Sequence, residues 1–140
     1  MTTAALASSE RFLLDTDTCI YIINRRPPKV FEHFAGRQIG DIAISSITGA
    51  ELSFGVAESG SERNLLALDK FLAPLEILPF GEAAMRVYGP LRSELERQGR
   101  PIGAMDLLIA AQALALGYTL VTNNRREFER VAGLRLENWV

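Results

Sequence analysis

The chain is 140 residues long, 48% hydrophobic and 23% charged, with a formal net charge of -2, which suits one domain around one core and excludes two independent ones. The single cysteine, Cys19, can form neither an internal disulfide nor a zinc knuckle, which agrees with a reducing compartment and a place as filler inside a helix. No apolar run nears the roughly 20 residues of a transmembrane helix, and the first ten residues lack the basic start and apolar middle of a signal peptide, so a cytoplasmic protein with no membrane association is expected.

Residues 1–10, small and polar, read as a flexible N-terminal extension, and 11–140 as a single domain. Arg11 to Asp15 is a short buried strand whose apolar Phe12-Leu13-Leu14 ends on a carboxylate. Thr16-Asp17-Thr18-Cys19 then suits a helix start, and the pattern predicts a helix over Thr18 to Asn24, stopped before Pro27-Pro28. Val30 to Ala35 is a second helical piece ended by Gly36, and Asp41 to Ser45 a second strand. Thr48 to Glu58 and Glu62 to Leu72 are two helices around Gly60, the latter with Leu65, Leu68 and Leu72 on one face. Leu75 to Phe80 reads as a third strand and Glu82 to Gln98 as a long amphipathic helix. Asp106 to Leu116 is an apolar helix stopped by Gly117, Thr119 to Thr122 a fourth strand, and Arg126 to Val131 a short helix before a closing segment, Leu134 to Trp139. Strands separated by helices imply crossovers, hence an α/β chain with a mostly parallel central sheet and helices on both faces.

On this map the acids fall together. Asp15 ends the first strand, Glu51 lies in the first turn of the helix after the second, Asp106 opens the helix before the fourth, and Asn124 follows the fourth. Open parallel sheets place ligands at these carboxyl ends. Carboxylates from separate elements can hold Mg²⁺ or Mn²⁺, which prefer oxygen donors, and such ions polarise phosphodiesters and acidify water. Each acid also has a local use. Thr48-Gly49-Ala50-Glu51 fits a capping box, Asp15 or Asp17 an N-cap, and Asp106 a helix dipole. Thr122 and Asn124 fit a strand end and a turn, or a water or metal site.

All fifteen basic residues except Lys29 and Lys70 are arginines, and several sit in loops: Arg25-Arg26 with Lys29, Arg97 with Arg100, and Arg125-Arg126. On a shared rim they would attract phosphate; the alternative is solvated surface charge. The only histidine, His33, has no motif around it and reads as surface or packing, against histidine-based acid–base chemistry. Phe54, Phe71 and Tyr88, on the helices that also carry Leu65 to Leu72 and Met85 to Leu95, either face the core or form a homodimer or partner groove.

Leu14-Asp15-Thr16-Asp17, Ser46-Ile47-Thr48-Gly49-Ala50-Glu51, the stretch Gly99 to Asp106 and Val121-Thr122-Asn123-Asn124-Arg125-Arg126-Glu127-Phe128 occur in this order, and together they resemble the PIN-domain ribonucleases. The likeness is strongest to the VapC toxins of bacterial type II toxin-antitoxin pairs and runs from about Phe12 to Trp139. It implies a three-layer α/β/α sandwich, Mg²⁺- or Mn²⁺-dependent endoribonuclease activity, and neutralisation by a small VapB-type antitoxin, with a homodimer inside the complex. By position, Asp15, Glu51 and Asp106 match the family's catalytic and metal-binding triad. The fourth acidic position falls at Asn124, a departure for which Asp17 is the compensating candidate, and Thr16 and Thr122 are supporting residues near the site. Arg25, Arg100, Arg125 and Arg126 are the RNA phosphate-binding candidates. The substrate class implied is tRNA, cut in the anticodon loop of initiator tRNA; unpaired loop bases are exposed for reading.

Two other readings remain open on the sequence. Asp15-Thr16-Asp17-Thr18 after a strand also matches the nucleophile motif of haloacid-dehalogenase-like phosphatases, in which Asp15 would form an aspartyl-phosphate. A non-catalytic module could use the acidic groove only to bind a basic segment.

Overall fold

Successive residues of the short strands are buried on opposite sides, and this alternation sets the layers. Phe12, Leu14, Ile42, Ile44 and Val121 enter one core cluster, whereas their neighbours Leu13, Ala43 and Leu120 enter another. The computed structural model, which describes residues 10–140, therefore has a sheet whose three central strands are buried on both faces. Its strands are β1 (Phe12–Leu14), β2 (Ile42–Ser45), β3 (Glu76–Leu78), β4 (Thr119–Val121) and β5 (Leu136–Glu137), in the order β3-β2-β1-β4-β5. Every pairing is parallel.

The helices are α1 (Thr16–Asn24), α2 (Pro28–Ala35), α3 (Ser46–Ser59), α4 (Glu62–Leu72), α5 (Glu82–Arg97), α6 (Ala104–Leu116) and α7 (Arg125–Phe128). Cys19 and Ile22 of α1, Val30 of α2, Leu52 of α3 and Leu68 and Phe71 of α4 pack on one face. Leu95 of α5 and Leu107, Ile109, Ala110 and Ala113 of α6 pack on the other. The result is the three-layer α/β/α sandwich with a parallel sheet. Burying a side chain such as Leu13 or Ile44 completely contributes about 1.5–3 kcal/mol, and both are 0% exposed. Among the described residues no helix is long and apolar enough to cross a membrane.

Several boundaries differ from the sequence reading. Strand β2 runs straight into α3, which begins at Ser46 because the Ser45 hydroxyl caps it, accepting from the Ile47 amide at 3.0 Å. Pro28 starts α2 at the first helical position, where its missing N–H costs nothing. β3 is an edge strand of three residues because it pairs only with β2. The closing segment, left unassigned by its pattern, contributes β5 through Leu136 and Glu137 paired with Leu120 and Val121. Of the expected extension over residues 1–10, all but Glu10 lies outside the described residues; the Glu10 carboxylate accepts a hydrogen bond from the Thr119 hydroxyl.

Candidate active site

In this strand order the chain winds outward in both directions from between β1 and β4, so the crevice for a ligand opens beyond their carboxyl ends. Asp15 leaves β1 at this point and is only 5% exposed. Its Oδ1 accepts the Thr18 amide at 2.9 Å, which makes it the N-cap of α1. Burial raises its pKa, opposed by hydrogen bonds from Thr122 and Thr18, while the nearby charge of Asp17 adds to the rise. Capping and a place in the crevice therefore coexist in one carboxylate.

Glu51 reaches the same region from α3. Since that helix begins at Ser46, Glu51 lies in its second turn and the capping box with Thr48 does not form. Its Oε1 instead accepts the Thr16 hydroxyl at 2.5 Å, across from α1. Asp106, in the first turn of α6, completes the group. Its pKa is raised to about 7, first by burial and then by Glu127, Asp15 and Glu51. Three other carboxylates thus act on Asp106.

The fourth is Glu127, which the sequence reading quoted but gave no role. Its Oε1 accepts the Gly103 amide at 2.9 Å and its Oε2 accepts the Asn124 side-chain amide at 2.8 Å. Asn124 is exposed and spends its amide on Glu127, while its backbone N–H donates to the Thr122 hydroxyl at 2.9 Å. Thr122, 0% exposed, thus links the turn after β4 to Asp15. Asn124-Arg125-Arg126-Glu127 has the spacing of a helix cap followed by an acid at the third position, a signal that pointed to Glu127. Asp17 is exposed on the first turn of α1.

Carboxylates, hydroxyls and an amide make a hard-oxygen donor set, which fits Mg²⁺ or Mn²⁺ better than a softer ion. Among the described residues no three acidic, imidazole or thiol groups are already gathered to hold an ion. The like charges have instead found local donors, Glu51 at Thr16 and Glu127 at Gly103 and Asn124.

The arginines do not form one rim. Arg25 caps α1 and lies over the Phe31 ring at 4.1 Å, lining a cleft with Phe34 and Lys70. Arg125 pairs with Glu129 at 3.7 Å. Arg126 lines a separate cleft beside Gly103 and Glu127, and Arg100 is exposed after α5. His33 stacks on buried Trp139 with ring centroids 5.9 Å apart, and Cys19 is fully buried with its thiol pKa pushed up by burial.

The PIN domain matches residues 12–134. The chain is 45% identical over 130 residues to the tRNA(fMet)-specific endonuclease VapC of Shigella flexneri, covering 92% of this chain and 98% of that protein. The chain belongs to the VapC ribonucleases of the PIN-domain family. Similar solved structures are VapBC of Salmonella typhimurium bound to DNA and VapBC2 of Rickettsia felis bound to a promoter DNA fragment. The first has a TM-score of 0.88 at 42% identity, covering 94% of this chain and 99% of that one. The second has a TM-score of 0.84 at 46% identity, covering 92% and 98%. Membership among the VapC ribonucleases displaces both the phosphatase reading of Asp15 and the non-catalytic groove.

Proposed function

We propose that this ribonuclease is the toxin of a type II toxin-antitoxin pair, a Mg²⁺- or Mn²⁺-dependent endonuclease of tRNA that stops translation in the cytoplasm. The observation that carries the reading is that Asp15, at the carboxyl end of β1, Glu51 and Glu127 all act on the half-buried Asp106 carboxyl beside the crevice of a parallel sheet. Unbalanced negative charge of this kind is relieved by a divalent cation. Asp15, Glu51 and Asp106 are its proposed holders, with Glu127 in the place that Asn124 leaves short of charge. When bound, the ion supplies Lewis acidity to the phosphodiester and a more acidic water.

The chain's own residues do the positioning. The Thr18 amide and the Thr122 hydroxyl fix Asp15, and the Thr16 hydroxyl fixes Glu51. The Asn124 amide and the Gly103 N–H fix Glu127. A side chain held by hydrogen bonds loses less freedom when it takes up its working geometry. Negative charge building on the phosphoryl oxygens as phosphorus becomes five-coordinate calls for a cation in addition to the ion, a place that an arginine near the site would fill.

Initiator tRNA as substrate is supported by the Shigella relative named for tRNA(fMet), and a cut in the anticodon loop is what the family resemblance implies. A VapB-type antitoxin as partner follows from the solved complexes, each named as VapBC. A groove of about 640 Å³ lined by Ile20, Leu52, Val56 and Leu68 reaches Glu51. Phe54, at 68% exposure, Leu65 and Leu66 add apolar surface on α3 and α4, whereas Phe71 is buried. These surfaces suit an antitoxin segment and a homodimer within the complex.

The test is incubation of the antitoxin-free chain with total tRNA in Mn²⁺, Mg²⁺ or EDTA, followed by mapping of cut ends. One discrete cut, present with the ions and absent with EDTA, is expected. Equal cutting in EDTA would overturn the metal dependence, and cutting confined to other RNAs would overturn the substrate.

A further inference from the structure

We propose that the cleft between the Gly99–Gly103 loop and α7 is the seat of an RNA backbone phosphate adjacent to the one being cut, with Arg126 as its phosphate-binding residue. The inference rests on the ribonuclease reading and names how that site grips its strand.

The cleft holds about 280 Å³ and is lined by residues that include Pro101, Gly103, Asn124, Arg126, Glu127 and Arg130. It adjoins the acidic centre directly. A Cβ built on Gly103 would lie 3.7 Å from Asp106 Oδ2 and 3.6 Å from Glu127 Oε1, so the Gly103 backbone forms the boundary between cleft and carboxylates. A strand whose scissile phosphate sits over Asp106 thus passes through this cleft on one side.

Its walls are tied in two places. Arg130 Nη1 donates to the Pro101 carbonyl at 2.7 Å, and the Gly103 N–H donates to Glu127 at 2.9 Å. Arg130 is therefore a positioning residue that keeps the loop against the segment after α7. Glu127 lines the cleft, and its two oxygens accept from the Gly103 N–H and the Asn124 side-chain amide.

Arg126 has the state a phosphate site needs. It is exposed and, among the described residues, makes no ion pair, while its neighbour Arg125 is joined to Glu129. The arginines of the outer helix α5 are each paired on the same helix, Arg86 with Glu82, Arg92 with Glu96 and Arg97 with Glu94. A free guanidinium beside the acidic centre presents a bidentate fork to a phosphate without first breaking a salt bridge.

The test uses the full chain carrying Asp106→Asn, which binds without cutting, and a fluorescein-labelled single-stranded RNA oligonucleotide titrated at several salt concentrations. Adding Arg126→Ala is expected to weaken binding about tenfold at low salt and to lower the slope of log Kd against log salt by about 0.7, the share of one phosphate contact on a single strand. Arg126→Lys keeps the slope and loses only part of the affinity, and Arg92→Ala leaves both unchanged. In the cutting-competent chain, Arg130→Ala raises KM with kcat within about twofold, and Arg130→Lys, which keeps a donor for the Pro101 carbonyl, restores it. An unchanged Kd and slope for Arg126→Ala overturns the proposal, as does an equal loss for Arg92→Ala or no oligonucleotide binding by the Asp106→Asn chain. A chain that cuts no tRNA yet shows the Arg126 effect refutes the substrate assignment alone.

Discussion

Asn124 donates its side-chain amide to Glu127 at 2.8 Å, so the neutral residue where the VapC pattern has a fourth acid holds an acid against Asp106. The charge missing at one position is supplied three residues later, on the first turn of α7, and the turn after β4 is what brings it there.

On the proposed metal-dependent reading, Glu127 would serve the ion as well as the turn. Glu127→Gln keeps an acceptor for Gly103 and Asn124 but removes the charge, and it is expected to weaken Mn²⁺ binding by about 10–100-fold. Titration calorimetry of the parent and the variant measures this; equal affinities would remove Glu127 from the site.

Thr16 acts through Glu51. Thr16→Val deletes the hydroxyl that donates to Glu51 at 2.5 Å while keeping the shape of the side chain. A drop in kcat of roughly tenfold or more, with the melting temperature nearly unchanged, is expected from losing such an orienting contact. Activity equal to the parent's would show that Glu51 needs no holder.

The acids also predict how the metal-free protein responds to pH. Asp106 titrates at about 7 in the folded chain, above the usual carboxylate range. The folded state then binds the proton more tightly than the unfolded one. Its contribution is full below about pH 4, where the unfolded carboxyl titrates, and is lost as pH rises toward 7. Thermal melts in EDTA should show Tm falling between pH 5 and 7.5, with a smaller fall in Asp106→Asn and a smaller one in Mn²⁺. A Tm that rises over this range in EDTA, or one on which Asp106→Asn has no effect, would contradict the assignment.

The fold was legible where burial writes a pattern. Phe12-Leu13-Leu14 and Ile42-Ala43-Ile44 are apolar throughout because both faces of the sheet are covered, and α6 is apolar nearly all round because it lies between the sheet and α5. β5 was not legible, since its two residues are half-buried and gain strand geometry only from β4. Asp15 and Asp106 have a local signal, one following a strand and the other opening a helix, whereas Glu51, expected in a first turn, lies in the second turn of α3 because that helix begins at Ser46. Glu127 was passed over because an acid in a short charged stretch looks like a solvated face until Gly103, distant in sequence, arrives to meet it. The arginines were legible only as a composition: Arg25 and Arg126 line different clefts and Arg125 pairs with Glu129.

The most direct test is single-turnover cleavage of initiator tRNA by the parent, Asp15→Asn and Asp106→Asn in Mn²⁺, with circular dichroism to establish that all three are folded. The account predicts a discrete anticodon-loop cut by the parent and a loss of at least about 10²-fold in each variant, the scale expected when a group stabilising the transition state is neutralised. Full activity in either folded variant would contradict it.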